Sequence, residues 1–244
     1  LNTYAMIDES SKGKLKPTLL AFSDPDYSYQ DRTPSKNTSS YISQYIDLGY
    51  KDWPSLPGTR KELDNIKKFV PNSDIYYGVD ATESKIKELH YTDKIKDYDI
   101  IHFASHGILV PEFPELNAIV LSQNDTSKED GYLTTDEIEA LDLNAKLVVL
   151  SACETASGES FYSEGIVGLT NSFFIAGAKG VISTLWPIDD AATSTFMTRL
   201  YANIYSGSRI SIALNDTKRE FINGDHGEEY KKPYYWAPFV YYGK

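Results

Sequence analysis

Ile100-Ile101-His102-Phe103-Ala104-Ser105-His106-Gly107 is an apolar run that stops abruptly in small and polar residues. A second run has the same design: Leu147-Val148-Val149-Leu150-Ser151-Ala152-Cys153-Glu154-Thr155-Ala156-Ser157-Gly158. Strands covered on both faces of a parallel sheet read as near-continuous apolar stretches, whereas half-exposed strands alternate. Both runs therefore predict central strands. In an open α/β sheet, ligands occupy the crevice beyond the carboxyl ends of the strands. One end delivers His106 to that crevice and the other delivers Cys153, the chain's only cysteine. A thiol with an imidazole at hand is what cysteine nucleophilic catalysis requires, because the thiolate attacks and the imidazole takes its proton.

Working outward, the elements alternate in type. Lys14 to Phe22 predicts a first strand, ended at Asp24-Pro25-Asp26. Residues 27–50 are polar and without a clean period, and read as a surface insertion. Leu56-Pro57-Gly58-Thr59 reads as a turn with Thr59 as a helix N-cap and Glu62 completing a capping box. Leu63, Ile66, Phe69 and Val70 supply the apolar stripe of that helix. Asp74 to Val79 and Asn117 to Ser122 read as strands, and helices follow Thr82 and the Thr134/Glu137 capping box. Ser163 to Ala176 predicts a helix burying Ile166, Val167, Leu169, Phe173 and Phe174, closed by Gly177. Gly180 to Trp186 is a strand, two amphipathic helices cover Asp190–Tyr205 and Ser208–Phe221, and Tyr235 to Tyr242 is a last aromatic strand. Strands alternating with helices predict an α/β sandwich around a mostly parallel sheet, in a single domain spanning residues 1–244.

Composition narrows the function. Lys+Arg 24 against Asp+Glu 35 leaves a net charge of −11, which repels a phosphate backbone and argues against direct nucleic-acid binding. No apolar run approaches the roughly 18 residues of a membrane helix, so no membrane association is expected. A single cysteine forms no internal disulfide and fits a reducing, cytoplasmic setting. The chain starts at Leu1 rather than methionine, which reads as a piece of a longer protein. A Gly-x-Ser-x-Gly elbow and a Gly-x-Gly-x-x-Gly turn are both missing, which counts against a serine α/β hydrolase and a dinucleotide-binding fold.

The candidate site residues follow. His106 and Cys153 form the proposed dyad, 153 − 106 = 47 residues apart. The backbone N–H groups of Gly107 and Cys153 are candidates for an oxyanion hole. Each residue alone has a plainer reading, since a lone cysteine after a strand is more often a small core residue; the matched strand ends decide for catalysis. His102, inside its strand, reads as a core histidine, and with His106 it makes a poor metal site because no third ligand is suggested. Trp186-Pro187-Ile188-Asp189-Asp190 reaches the same crevice. Asp189 and Asp190 read equally well as helix caps and as carboxylates of a specificity pocket. No metal and no cofactor is expected.

These segments resemble the CHAT family, caspase-like cysteine peptidases of clan CD related to separase. The likeness lies in Leu56-Pro57-Gly58-Thr59, Ile101 to Gly107, Leu150 to Thr155, Glu164 to Leu169, Ala176-Gly177-Ala178, Leu185 to Asp190 and Tyr235-Trp236-Ala237-Pro238-Phe239, in family order. The resemblance implies a caspase-hemoglobinase-like three-layer sandwich, and a His106/Cys153 dyad hydrolysing a peptide bond in a protein substrate. The 47-residue spacing is close to the roughly 50 residues that separate the two in caspases. Similarity to separase implies that Asp190 lines the pocket for a basic residue before the cut. The family also implies an N-terminal tetratricopeptide-repeat (TPR) region or a regulatory effector complex as partner, and a bacterial defence setting that includes CRISPR-linked proteases. The competing expectation is a non-catalytic module that holds a peptide in the same crevice.

Overall fold

The computed structural model describes residues 17–28, 40–50, 52–110, 112–123, 129–151 and 162–243. In chain order the elements are β1 (Leu19–Pro25), α1 (Ser40–Asp47), α2 (Pro57–Lys67), β2 (Ser73–Gly78), α3 (Glu83–Tyr91), β3 (Ile100–Ala104), β4 (Gly107–Ile108) and β5 (Ala118–Val120). They continue with β6 (Tyr132–Thr134), α4 (Thr135–Glu139), β7 (Leu147–Leu150), α5 (Tyr162–Ile175), β8 (Gly180–Thr184), α6 (Asp190–Tyr205), α7 (Ile210–Asn223) and β9 (Phe239–Gly243).

Six strands form one sheet in the order β2-β1-β3-β7-β8-β9. All neighbours in it are parallel except β9, which runs antiparallel to β8. The two quoted runs are its centre, β3 and β7, and every residue of both strands is buried. Alternate side chains of β3 feed opposite layers. Ile101 and Phe103 pack with Ile86 and Leu89 of α3, Ile138 of α4, and Leu169 and Phe173 of α5. Ile100 and Ala104 pack with Leu63 and Ile66 of α2, Phe196 and Leu200 of α6, and Phe221 of α7. The result is the expected three-layer α/β sandwich with a mostly parallel sheet. Among the described residues no helix is long and apolar enough to cross a membrane.

Several boundaries differ from the sequence reading. Of the expected first strand, residues 14–16 lie outside the described residues, and the ladder begins at Leu19. The 117–122 stretch is a strand, but it belongs to a separate three-stranded antiparallel sheet, β4-β5-β6. Val167 and Phe69 are 45% and 41% exposed instead of buried, and Phe174 is half-buried. The Thr134/Glu137 capping box forms as expected, and Thr82 accepts a bond from the Lys85 amide at 3.1 Å.

The 27–50 stretch is not wholly surface. Tyr45 of α1 is fully buried, Tyr50 is 5% exposed, and both join Ile108, Val120 and Tyr132 in a third core cluster over the small sheet. The Tyr45 ring lies 4.6 Å from that of Tyr132. Tyrosine is amphipathic, so a run that scores as polar still presents large apolar faces.

At the far edge, α6 and α7 are tied by one carboxylate. Glu220 accepts from Arg199 at 2.7 and 3.1 Å, from Asn203 at 3.2 Å, and lies 3.0 Å from His226 Nε2. Arg199 is therefore engaged in a two-pronged pair. Burial pushes the Glu220 carboxyl up, but the bonds from Arg199, His226 and Asn203 outweigh it and hold it down at about 2. A carboxyl depressed in the folded state contributes stability above its ordinary value of 4.5 and loses it as pH falls towards about 2. Melting temperature should fall through that window, and Glu220→Gln should flatten the fall. An identical pH slope in the variant would contradict the assignment.

Candidate active site

Parallel pairing brings the two strand ends level. Phe103 faces Leu150 in the register, and the Ser151 amide extends the ladder to the Phe103 carbonyl at 3.0 Å. His106 follows Phe103 by 106 − 103 = 3 residues, and Cys153 follows Leu150 by 153 − 150 = 3. Cys153 itself lies outside the described residues.

His106 is 2% exposed. Its ring lies between Trp53 and Tyr27, with centroids at 5.3 and 5.1 Å. The backbone amide of His106 donates to Tyr27 Oη at 3.2 Å. Burial raises the Tyr27 phenol well above its usual range, so it stays protonated. Nε2 of His106 is 2.8 Å from the carbonyl oxygen of Pro54. A carbonyl only accepts, so Nε2 carries the proton; in the neutral ring Nδ1 then holds the lone pair. This orienting group has no side-chain signature, since it is backbone.

Gly107 opens β4 opposite Ile119. The adjacent ladder bond runs from the Val120 amide to the His106 carbonyl at 2.8 Å. In that antiparallel pattern Gly107 occupies a non-hydrogen-bonded pair, so its N–H points away from β5.

Asp189 and Asp190 separate cleanly. Asp189 is the N-cap of α6, its carboxylate accepting from the Ala192 amide at 3.0 Å. Asp190 lines a pocket of about 30 Å³ together with Gly58, Thr59, Glu62, Ser151 and Thr184. Gly58 makes that placement possible. A Cβ there would lie 2.3 Å from Asp190 Oδ2 and 2.4 Å from its Cβ. Asp190 thus rests against bare backbone.

The first turn of α2 builds the opposite wall. The helix begins at Pro57 with Leu56 as N-cap, so Thr59 sits inside the turn and does not cap it. A proline at the first helical position, where its missing N–H costs nothing, starts the helix early. Thr59 Oγ1 instead donates to the Leu56 carbonyl at 2.7 Å and accepts from the Asp24 amide at 3.0 Å, which fastens α2 to the end of β1. Glu62, expected to complete a capping box, is turned inward and is 1% exposed.

His102 is a core residue, as expected, and fully buried. Tyr201 Oη lies 2.8 Å from Nδ1 and Ser151 Oγ 3.0 Å from Nε2. Burial holds the Tyr201 phenol protonated, so Tyr201 donates to Nδ1 and the imidazole proton sits on Nε2. Glu62 Oε1 is also 3.0 Å from Nε2, but off the direction of the N–H, and makes no hydrogen bond.

One carboxylate cluster lies elsewhere. Glu83, Glu129 and Glu137 could together hold a metal ion by spacing, but Lys87 Nζ pairs with all three. The ammonium supplies the positive charge there, and the cluster reads as an ion-pair network joining α3 to α4.

The carboxyl ends of the parallel sheet thus carry an oriented imidazole, and a pocket lined by Glu62 and Asp190 includes Ser151 after β7 and Thr184 at the end of β8. The CHAT domain family model matches residues 4–244, and the chain belongs to that family. Tetratricopeptide repeat protein 28 of Mus musculus is 32% identical over 111 residues, covering 46% of this chain and 4% of the relative. Its Homo sapiens counterpart is 31% identical over 140 residues, covering 57% and 5%. The chain therefore spans about a twentieth of the length of these relatives. Among solved structures, the Drosophila initiator caspase Dronc aligns with a TM-score of 0.40 at 10% identity, over 93% of this chain and 78% of that one.

Proposed function

We propose that the chain is a CHAT-type cysteine endopeptidase that cuts a protein partner after a basic residue. The observation that carries the reading is His106, held at the end of β3 with Nε2 bonded to the Pro54 carbonyl. With the proton on Nε2, Nδ1 is the nitrogen we assign as the base. In the proposed mechanism Nδ1 takes the Cys153 proton and the thiolate attacks the scissile carbonyl. The oxyanion meets the N–H groups of Gly107 and Cys153. The imidazolium protonates the departing amine, and water then hydrolyses the thioester with His106 again as base. The side chain before the cut enters the pocket beside Asp190, where a cation is favoured. Neither a metal nor a cofactor takes part in this scheme.

A TPR region is the partner we propose for regulation, since the matched relatives are tetratricopeptide repeat proteins. A cytoplasmic defence role is proposed on the family resemblance. Iodoacetamide tests the chemistry simply, because the chain has one thiol to alkylate. Peptide cleavage is expected to stop in step with alkylation, and turnover that survives complete alkylation would contradict the mechanism.

A further inference from the structure

The acidic wall of the pocket has a second member that the basic-residue reading does not include. Glu62 is 1% exposed and lines the same pocket as Asp190, which is itself exposed. Exposure places Asp190 at the mouth and Glu62 at the floor. Glu62 Oε1 is buried without a hydrogen-bond partner. His102 Nε2 lies 3.0 Å from that oxygen, but its N–H is directed at Ser151 Oγ, also at 3.0 Å. Of the described residues that line the pocket none is a lysine, arginine or histidine. A carboxylate shut away from water and one partner short is stabilised by any cation that reaches it, and more strongly than an exposed one.

We infer that Glu62 is the deep specificity residue of this pocket, receiving the guanidinium of an arginine before the cut while Asp190 holds the same group from the mouth. The guanidinium suits two carboxylates at different depths because it presents five N–H donors in a rigid plane. Once it is in place, Oε1 gains the donor that His102 does not supply. His102, Tyr201 and Ser151 then serve to fix the wall. This inference rests on the reading of the pocket as the seat of the residue before the cut, but not on turnover.

The test is equilibrium binding to the Cys153→Ala chain, which has no thiol chemistry. Two peptides are compared, identical except that one carries arginine and the other citrulline, its neutral isostere. The arginine peptide is expected to bind at least about 30-fold tighter, and Glu62→Gln to reduce that ratio about tenfold, the scale of a charge-assisted bond in a buried site. Asp190→Asn should leave a preference of about tenfold, since Glu62 remains. An unchanged ratio in Glu62→Gln overturns the inference, as does equal binding of the two peptides by the Cys153→Ala chain. Should Glu62→Gln not fold, Asp190→Asn decides alone: complete loss of the preference there means that Asp190 reads the charge unaided. Because binding is read without the thiol, a parent chain that cuts nothing refutes the peptidase reading while this comparison still stands.

Discussion

Cys153→Ala and His106→Ala are each expected to lower peptide cleavage by at least about 10⁴-fold, to the level of whatever binding and oxyanion stabilisation supply alone. Combining them should cost little more than either alone, because nucleophile and base act as a unit. The fold should persist in both. Cysteine to alanine changes little volume, and the His106 ring contacts Tyr27 and Trp53 past the end of β3 rather than within the sheet. Melting temperature and far-UV circular dichroism check that part. A His106→Ala chain that retains more than about a hundredth of the parent rate would remove His106 from the base role. Retained turnover in Cys153→Ala would remove the dyad altogether.

The second effect concerns selectivity. Asp190→Ala should reduce kcat/KM on substrates with arginine before the cut by about fivefold, the scale of losing an ion pair to an exposed carboxylate. Substrates with norleucine there should lose far less. Gly58→Ala should act in the same direction without touching a charge, since the new methyl group would lie 2.3 Å from Asp190 Oδ2. It would also lie 2.4 Å from Asp190 Cβ, which no rotamer moves, so the starts of α2 and α6 would have to part and carry Asp190 away from its place in the pocket. The measurement is kcat/KM over a peptide series varied only at that position. An unchanged preference profile in Asp190→Ala would take this carboxylate out of the pocket's role, and an unchanged profile in Gly58→Ala would mean that the preference does not depend on where Asp190 sits.

What the sequence makes legible follows from how each feature is encoded. β3, β7 and β8 are buried on both faces, so their composition alone marks them, and their ends name His106 and the Cys153 segment. Asp189 and Asp190 could not be separated in advance, because a helix cap and a pocket carboxylate both call for an acidic residue at that place. Only the 3.0 Å bond from the Ala192 amide assigns the cap to Asp189. The Pro54 carbonyl leaves no trace in the side chains. Glu62 is the clearest misreading. Its spacing from Thr59 matches a capping box, but the helix starts at Pro57, three residues earlier than a Thr59 cap would place it, and Glu62 faces the core side. β4, β5 and β6 are two or three residues long, too short to show a period, and the tyrosines over them sit in a stretch that scores as polar.

The measurement that bears most directly on the central claim is the set of new N-termini produced in a proteome-derived peptide library, read by mass spectrometry. The parent and the Cys153→Ala chains are run side by side. Cuts made by the parent alone, with arginine or lysine before the new N-terminus, are the predicted result. A parent chain that produces no cuts, or the same cuts as Cys153→Ala, would contradict the peptidase reading and favour a crevice that holds a peptide without cutting it.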